Sequence, residues 1–367
     1  MKMGVGVQNR KAINLFASSR LCVSYFIFKK VVNMSQFPQV ISNNVNSKYT
    51  DISLDINLPF YRKLGRTDLT VSCLGLGGGG GISSEDTLYA FDQGMNYFFY
   101  STDLHHSTYS SMSNGLQKLC RRGSSVRDKV VLATVTYIKS PEAIIAILVD
   151  QFKELGIDYI DVFFWGWVGR NDKQSIHDCL QLSPSLRGCN SYYQKIVEEM
   201  FGTSELMKKM GIVRYIGASF HDINLAKECL HNPLLDVVMV RSNVTHRHAQ
   251  SQIFNQLNPD DPQRPGIVNF KSTSCSSGLL WDAPINLPEG CWIPKAPDLY
   301  RYCLSQNSMD VCLTGLQNKA QIDAAIAGVK KGKLTQKEIK YLNLYGDLYN
   351  NPWKMIGVSQ KDVIYRT

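Results

Sequence analysis

From Tyr61 onward, short apolar runs alternate with segments whose apolar residues recur at helical spacing. Eight runs have the length of strands: Val71–Leu76, Asn96–Ser101, Val130–Val135, Tyr159–Trp165, Val213–Ala218, Val237–Val240, Ile267–Phe270 and Val311–Leu313. They are apolar almost without interruption, the mark of strands covered on both faces. Between them, Ser84 to about Gln93, Asn114–Cys120, Pro141–Leu155, Tyr192–Met210, Ile223–Leu230, Ala249–Gln256 and Ala320–Val329 have helical character, and Gln336–Tyr345 adds a C-terminal helix. The punctuation agrees. Ser83-Ser84-Glu85-Asp86 supplies an N-cap with acids in the first turn, and Gly94 supplies a stop. Eight strand–helix units in succession predict an α/β fold, a (β/α)8 TIM barrel. Ahead of it, Gly65-Arg66 between two short alternating runs predicts an N-terminal hairpin leading into Val71–Leu76.

An open sheet is the rival topology, because Gly75, Gly77 and Gly80 satisfy the dinucleotide fingerprint G-x-G-x-x-G after a strand. That motif needs an acid at the end of a strand about 20 residues on. The chain has the run NYFFYS there instead, so the barrel is preferred. In a barrel, chemistry gathers where strands hand over to the loops at their C-terminal ends. The stretch Gly94–Gly115 has that form: apolar Tyr97–Tyr100, then Asp103, His105, His106 and Tyr109, then a helix. Two inserts, Gly166–Gln194 and Leu280–Tyr300, follow the fourth and seventh strands and belong over the same mouth. Trp281, Pro288, Trp292 and Pro294 in the second suggest an ordered lid.

Charge alters the picture only once it is located. The chain's formal charge is +9, but residues 1–50 carry seven cations and no acid, which leaves +2 over the other 317 residues. No basic stripe with interleaved aromatics stands out, so no nucleic-acid partner is expected. Residues 1–33 contain one apolar run, Leu21–Phe28, well short of the roughly 20 residues that span a bilayer, so no membrane partner is expected either. This segment reads as a mitochondrial-type transit peptide, as sequence upstream of a start at Met34, or as a structured arm. Residues 38–60 read as a linker or surface-hugging arm. The barrel is expected over 61–346, with an extension over 1–60 and a tail over 347–367. Ten scattered cysteines without a C-x-x-C pair predict no metal or iron–sulfur site and a reducing, cytoplasmic compartment.

Several segments together carry a family likeness. YRKLGRTDLTVSCLGLG, RDKVVLAT, LGIDYIDVFF, GIVRYIGAS, LDVVMV and SGLL resemble, in order, the segments of aldo/keto reductases from about Tyr61 to Tyr345. Gly217-Ala-Ser-Phe-His-Asp222 is similar to the branch with G-x-S-G-H-D after the fifth strand, which can carry a C-terminal iron–sulfur cysteine cluster that this chain lacks. The resemblance implies carbonyl reduction with NADPH by an Asp–Tyr–Lys–His tetrad, with the Tyr as proton donor. Laid without gaps on the family pattern, the four positions read Phe99, Leu104, Val135 and Gly166. The carboxamide-holding Ser–Asn–Gln trio reads Ser219, Phe220 and Met239, and the nicotinamide-stacking aromatic falls at Ser272. At the adenosine-phosphate end, Gly315, Gln317, Asn318, Lys319 and Gln321 are a partial match. Ser219 and Lys319 are the expected cofactor contacts that survive.

Alternation along strands names the residues that could share the mouth: Asp103 and His105, Tyr137, His221 and Arg241. A rebuilt acid/base site would use His105 or His221 as proton carrier, Tyr137 as donor and Arg241 as anion clamp. The plainer reading has solvated histidines, Asp103 capping the next helix, Arg241 paired with Asp222, and Trp165 and Trp167 as packing residues. A two-histidine metal site at His105 and His221 lacks a supporting carboxylate motif. Three functions therefore stand: a noncanonical enzyme of small-molecule metabolism, a pseudoenzyme binding a ligand or partner protein through its mouth loops, and an NADPH-dependent oxidoreductase with altered groups.

Overall fold

The computed structural model describes residues 60–101, 106–138, 140–168, 191–275, 278–284, 287–351 and 363–365. Its first two strands, β1 (Tyr61–Lys63) and β2 (Thr70–Ser72), form the antiparallel hairpin, with Tyr61 opposite Ser72. The barrel begins only at β3 (Leu74–Gly77), so the run expected as one strand from Val71 is broken at Cys73. Side chains make the break. The Ser72 hydroxyl donates to the Leu74 carbonyl at 2.7 Å, and Asn96 takes up the Ser72 N–H (2.6 Å) and the Thr70 carbonyl (2.9 Å).

Seven further parallel strands complete the barrel: β4 (Tyr97–Tyr100), β5 (Val131–Thr136), β6 (Ile160–Val168), β7 (Val213–Phe220), β8 (Val237–Arg241), β9 (Gly266–Phe270) and, beyond the small hairpin β10 (Ser274–Cys275) and β11 (Gly278–Leu279), β12 (Val311–Thr314). Each pairs with the next, and β12 pairs with β3 to close the ring, which excludes the open dinucleotide-binding sheet. The glycines that mimicked its fingerprint end β3 and form one 3-10 turn, Gly78–Gly80.

The helices outside the ring are α1 (Ser84–Asp92), α2 (His106–Cys120), α3 (Ser124–Arg127), α4 (Pro141–Leu155), α5 (Ser191–Lys209), α6 (Ile223–Cys229), α7 (His248–Gln252), α8 (Ala296–Leu304), α9 (Lys319–Lys330) and α10 (Gln336–Asn350). In α4, Ser140 caps the first turn, Gly156 closes the last with φ +68°, and Ile144, Leu148, Phe152 and Leu155 form the buried stripe. Burying each such side chain is worth about 1.5–3 kcal/mol.

The helices depart from the sequence pattern in several places: α3 was not expected, Ala249–Gln256 divides into α7 and a 3-10 turn at Phe254–Gln256, and two larger departures bear on the mouth. α2 starts at His106 rather than Asn114, because Tyr109 and Met112 pack on Gly78 and override the weak helix propensity of a serine-rich stretch. α8 begins at the end of the insert expected to be a lid and runs past it, with Pro297 in its first turn and the Asp298 carboxylate accepting the Lys295 N–H at 3.1 Å. The last helix passes residue 346, and Ile364 returns to accept the Trp292 N–H at 2.8 Å.

At the N-terminal end of the barrel, buried carboxylates lock neighbouring strands. Asp161 takes Arg127 and Arg214, each at 2.9 Å. Asp310 takes Arg264 in bidentate form at 2.7 and 2.8 Å and also the Ile267 N–H. Conserving strand register at this end leaves the opposite end for loops. Among the described residues, no helix is long and apolar enough to cross a membrane.

Candidate active site at the barrel mouth

Glycines show which side chains fill the barrel. A Cβ at Gly75 would lie 2.8 Å from Tyr97 Cδ1, and one at Gly217 would lie 2.5 Å from Phe164 Cε1. A Cβ at Gly166 would overlap the Tyr137 ring and lie 2.8 Å from Val135 Cγ2. In each case an aromatic ring from an adjacent strand occupies the room that a missing side chain leaves. Phe99 and Phe164 meet edge to face with centroids 6.0 Å apart, and both are buried, as is Val135. The floor of the mouth is therefore apolar: Phe99, Val135, Phe164, and the Tyr137 ring seated on Gly166.

The residues expected to share the mouth fall into two groups. Tyr137, half-buried, stands at the end of β5 over Gly166. His221 and Arg241 stand together on the other side: the exposed His221 ring is 5.3 Å from that of Phe270, and Phe270 is the register partner of Arg241. The Arg241 guanidinium donates to the Ser274 carbonyl at 3.3 Å. Asp222 caps α6 by accepting the Asn224 and Leu225 N–H groups. Asp103, His105 and Leu104 lie outside the described residues, as does the side chain of Trp167. Trp165 is a packing residue, buried with its indole N–H on Ser204 at 2.9 Å. Among the described residues, no cluster of three or more His, Cys, Asp or Glu could hold a metal.

Of the cofactor positions, Ser219 is buried at the end of β7 beside Met239. Phe220 faces outward into a small apolar cavity of about 20 Å³ between β7 and the helices α5 and α6. Ser272 is buried and donates to Leu313 at 3.5 Å. Lys319 lies 5.3 Å over the Tyr89 ring, while Asn318 caps α9 by accepting the Gln321 N–H at 3.0 Å.

Sequence reasoning missed one group, the loop after β8. Asn243 organises it, donating from Nδ2 to the Lys271 and Ser274 carbonyls (2.8 and 2.9 Å). Its Oδ1 accepts the Thr245 and His246 N–H groups and the Thr245 hydroxyl. Thr245 Oγ1 in turn meets His246 Nδ1 at 2.8 Å. Burial first, and then Arg241, His248 and Lys271, push the His246 imidazole below its ordinary range. The signal was present as Arg241, His246 and His248 in RSNVTHRH, directly after a strand.

The fold and the loop-lined mouth define a (β/α)8 barrel of the kind that binds small molecules at the C-terminal ends of its strands. Residues 84–260, just under half of the chain, match the model of the aldo/keto reductase family, which supports membership of that superfamily. No curated protein matches the chain. Among solved structures it is similar to an aldo-keto reductase from Bacillus halodurans in its holo form, at 20% identity and a TM-score of 0.55, with 77% of this chain and 94% of that one covered. The apo form of that protein matches at 21% identity and a TM-score of 0.53, with the same coverage. A thermostable aldo-keto reductase in complex with the inhibitor epalrestat matches at 16% and 0.54, covering 77% and 98%. At such identities the likeness speaks for the fold.

Proposed function

We propose that the protein is a noncanonical enzyme of small-molecule metabolism, built on an aldo/keto reductase barrel but not running the family's tetrad chemistry. One observation carries this reading. The strand-end positions that the resemblance assigns to the Asp, Lys and His are Phe99, Val135 and Gly166, and they pack with the Tyr137 ring as an apolar floor. Tyr137, His221 and Arg241 remain above it as hydrogen-bond donor, proton carrier and anion clamp, and Asp103 and His105 are the further candidates.

The residues present fit a nicotinamide cofactor poorly. Phe220 and Met239 offer a carboxamide no hydrogen bond, Ser272 has no ring to stack on, and Lys319 is engaged by Tyr89. Ser219 alone keeps its role at that end. No hydride step is therefore derived, although family membership keeps NADPH a reasonable ligand to try. Buried free thiols, Cys73, Cys303 and Cys312 among them, suit a reducing compartment such as the cytoplasm.

Titration with NADPH and NADH, followed by tryptophan fluorescence and thermal shift, tests the reading. No shift up to millimolar cofactor is expected. A micromolar Kd would stabilise the fold by about 2.7 kcal/mol at a hundredfold excess of ligand, and that shift would restore the oxidoreductase.

A further inference from the structure

The hydrogen bonds of the loop after β8 determine where the His246 proton sits. Two carbonyls, of Lys271 and Ser274, face one end of the Asn243 amide, so that end is the NH2 group and the other is the oxygen. The Thr245 hydroxyl has a single proton, and it goes to that oxygen at 2.8 Å. Its remaining contact, with His246 Nδ1, must then be an N–H donated by the ring. The neutral imidazole therefore carries its proton on Nδ1 and keeps a bare lone pair on Nε2. Asn350 of α10 holds the loop from the other side, donating to the Thr245 carbonyl at 3.2 Å.

Two cations, Arg241 from the end of β8 and Lys271 from the residue after β9, act on this ring, and the His248 side chain of α7 is a further titratable neighbour. Arg247, next in the chain, is already matched by Asp347 of α10 and donates to the Val244 and Asn343 carbonyls. Lys271 is held at φ +56°, a left-handed conformation that a non-glycine residue rarely adopts, with its carbonyl fixed by Asn243. The ends of β8 and β9 thus bring two positive charges to one side of the mouth, where Asn243 fixes the Lys271 and Ser274 backbone and Arg241 donates to the same Ser274 carbonyl.

We infer that this loop is a binding site for a small oxyanion, a carboxylate or a phosphate, which Arg241 and Lys271 hold and whose arrival loads a proton from solvent onto His246 Nε2. The inference deepens the proposed function, since it assumes that a ligand comes to the barrel mouth, and it names the ligand's chemistry. The coupling follows from charge. Burial first, and then the neighbouring charges, hold the imidazole below its ordinary range, and an anion placed beside Arg241 and Lys271 opposes the part that those charges supply. His246 thereby joins His221 as a proton-carrying group beside the clamp.

Histidine side-chain NMR on the full chain tests it, with inorganic phosphate and succinate titrated separately at constant ionic strength and sodium chloride as control. Before titration, His246 is expected to show the Nδ1–H tautomer. On titration, its Nε2 resonance should move to the protonated position and its apparent pKa should rise by about one unit. Arg241→Gln and Lys271→Gln should each weaken binding by about tenfold while the amide spectrum keeps its dispersion. His246→Asn should bind but lose the proton uptake. A response to phosphate alone would assign a phosphate ester, and one to succinate alone a carboxylate. An Nε2–H tautomer, or shifts no larger than those from chloride, would overturn the site. The assay needs no turnover, so a working oxyanion site in a protein without a product would refute the enzyme reading alone.

Discussion

Gly166 is where a single residue shapes the site most directly. With no side chain, it lets the Tyr137 ring lie across the end of β6 and meet Val135. Gly166→Ala would force that ring out of the floor, at a cost of about 1–3 kcal/mol for an overpacked site. Removing the ring should relieve it. In urea unfolding, Gly166→Ala is therefore expected to destabilise markedly, while Gly166→Ala combined with Tyr137→Ala should depart from additivity by at least about 0.5 kcal/mol. Additive effects would mean that the ring does not sit there. The resemblance marked Gly166 as the position laid on the family's histidine, but did not reveal what packs on it, because Tyr137 comes from another strand. His246 gives a second residue-scale prediction, in pH. Its folded pKa is depressed, so between that value and the ordinary 6.5 the unfolded chain binds the extra proton. Stability is full above about pH 6.5 and falls as pH falls through the folded value. Thermal melts from pH 8 to pH 5 should show a shallower decline in His246→Asn than in the parent, and equal slopes would refute the assignment.

At the scale of elements, ion pairs at the closed end of the barrel do very different amounts of work. Arg264 and Asp310 join the turn before β9 to the start of β12, with side chains 10% and 3% exposed. Burial pushes the Asp310 carboxyl up, and the Arg264 guanidinium and the Ile267 N–H oppose that push. Arg264→Met would leave the carboxylate buried without its partner, at a cost of about 3–5 kcal/mol. Arg122 and Asp92, exposed at 39% and 53%, form the control, and Arg122→Met should cost less than about 1 kcal/mol. Equal losses in urea unfolding would show that the Arg264 pair is not holding β9 to β12. Periodicity gave the strands well, since a strand buried on both faces has a plain signature. It gave helix starts less well. α2 begins early because Tyr109 and Met112 have Gly78 to pack on, and α8 starts within an aromatic- and proline-rich insert whose pattern does not announce a helix.

The whole molecule is legible as a barrel because eight strand–helix units have few other ways to bury their apolar runs. Its mouth is less so, since the loops that face each other there are far apart in sequence: Asn243 ties its own loop to Lys271 and Ser274, and no local pattern announces that contact. The other end offers the sharper test of global order. The β1–β2 hairpin covers it through Leu64, fully buried, and through Gly65 at φ +49°, where an added Cβ would fall 2.4–2.6 Å or closer to the Pro265 and Gly266 backbone. Arg66 N–H to the Arg264 carbonyl at 2.8 Å and the Arg62 guanidinium to the Met309 carbonyl at 2.7 Å fasten the hairpin beneath β9 and β12. Gly65→Ala must both adopt a left-handed φ and push against backbone that has no rotamer to give. The hairpin should therefore lift from the barrel as a unit rather than adjust. A loss of more than about 3 kcal/mol is expected, since backbone strain and lost burial add. Hydrogen exchange should show it first, as loss of protection across β1, β2, β9 and β12 while β5 and β6 stay protected. A Gly65→Ala protein as stable as the parent would mean that the barrel closes without its hairpin, and that the folding unit begins at β3.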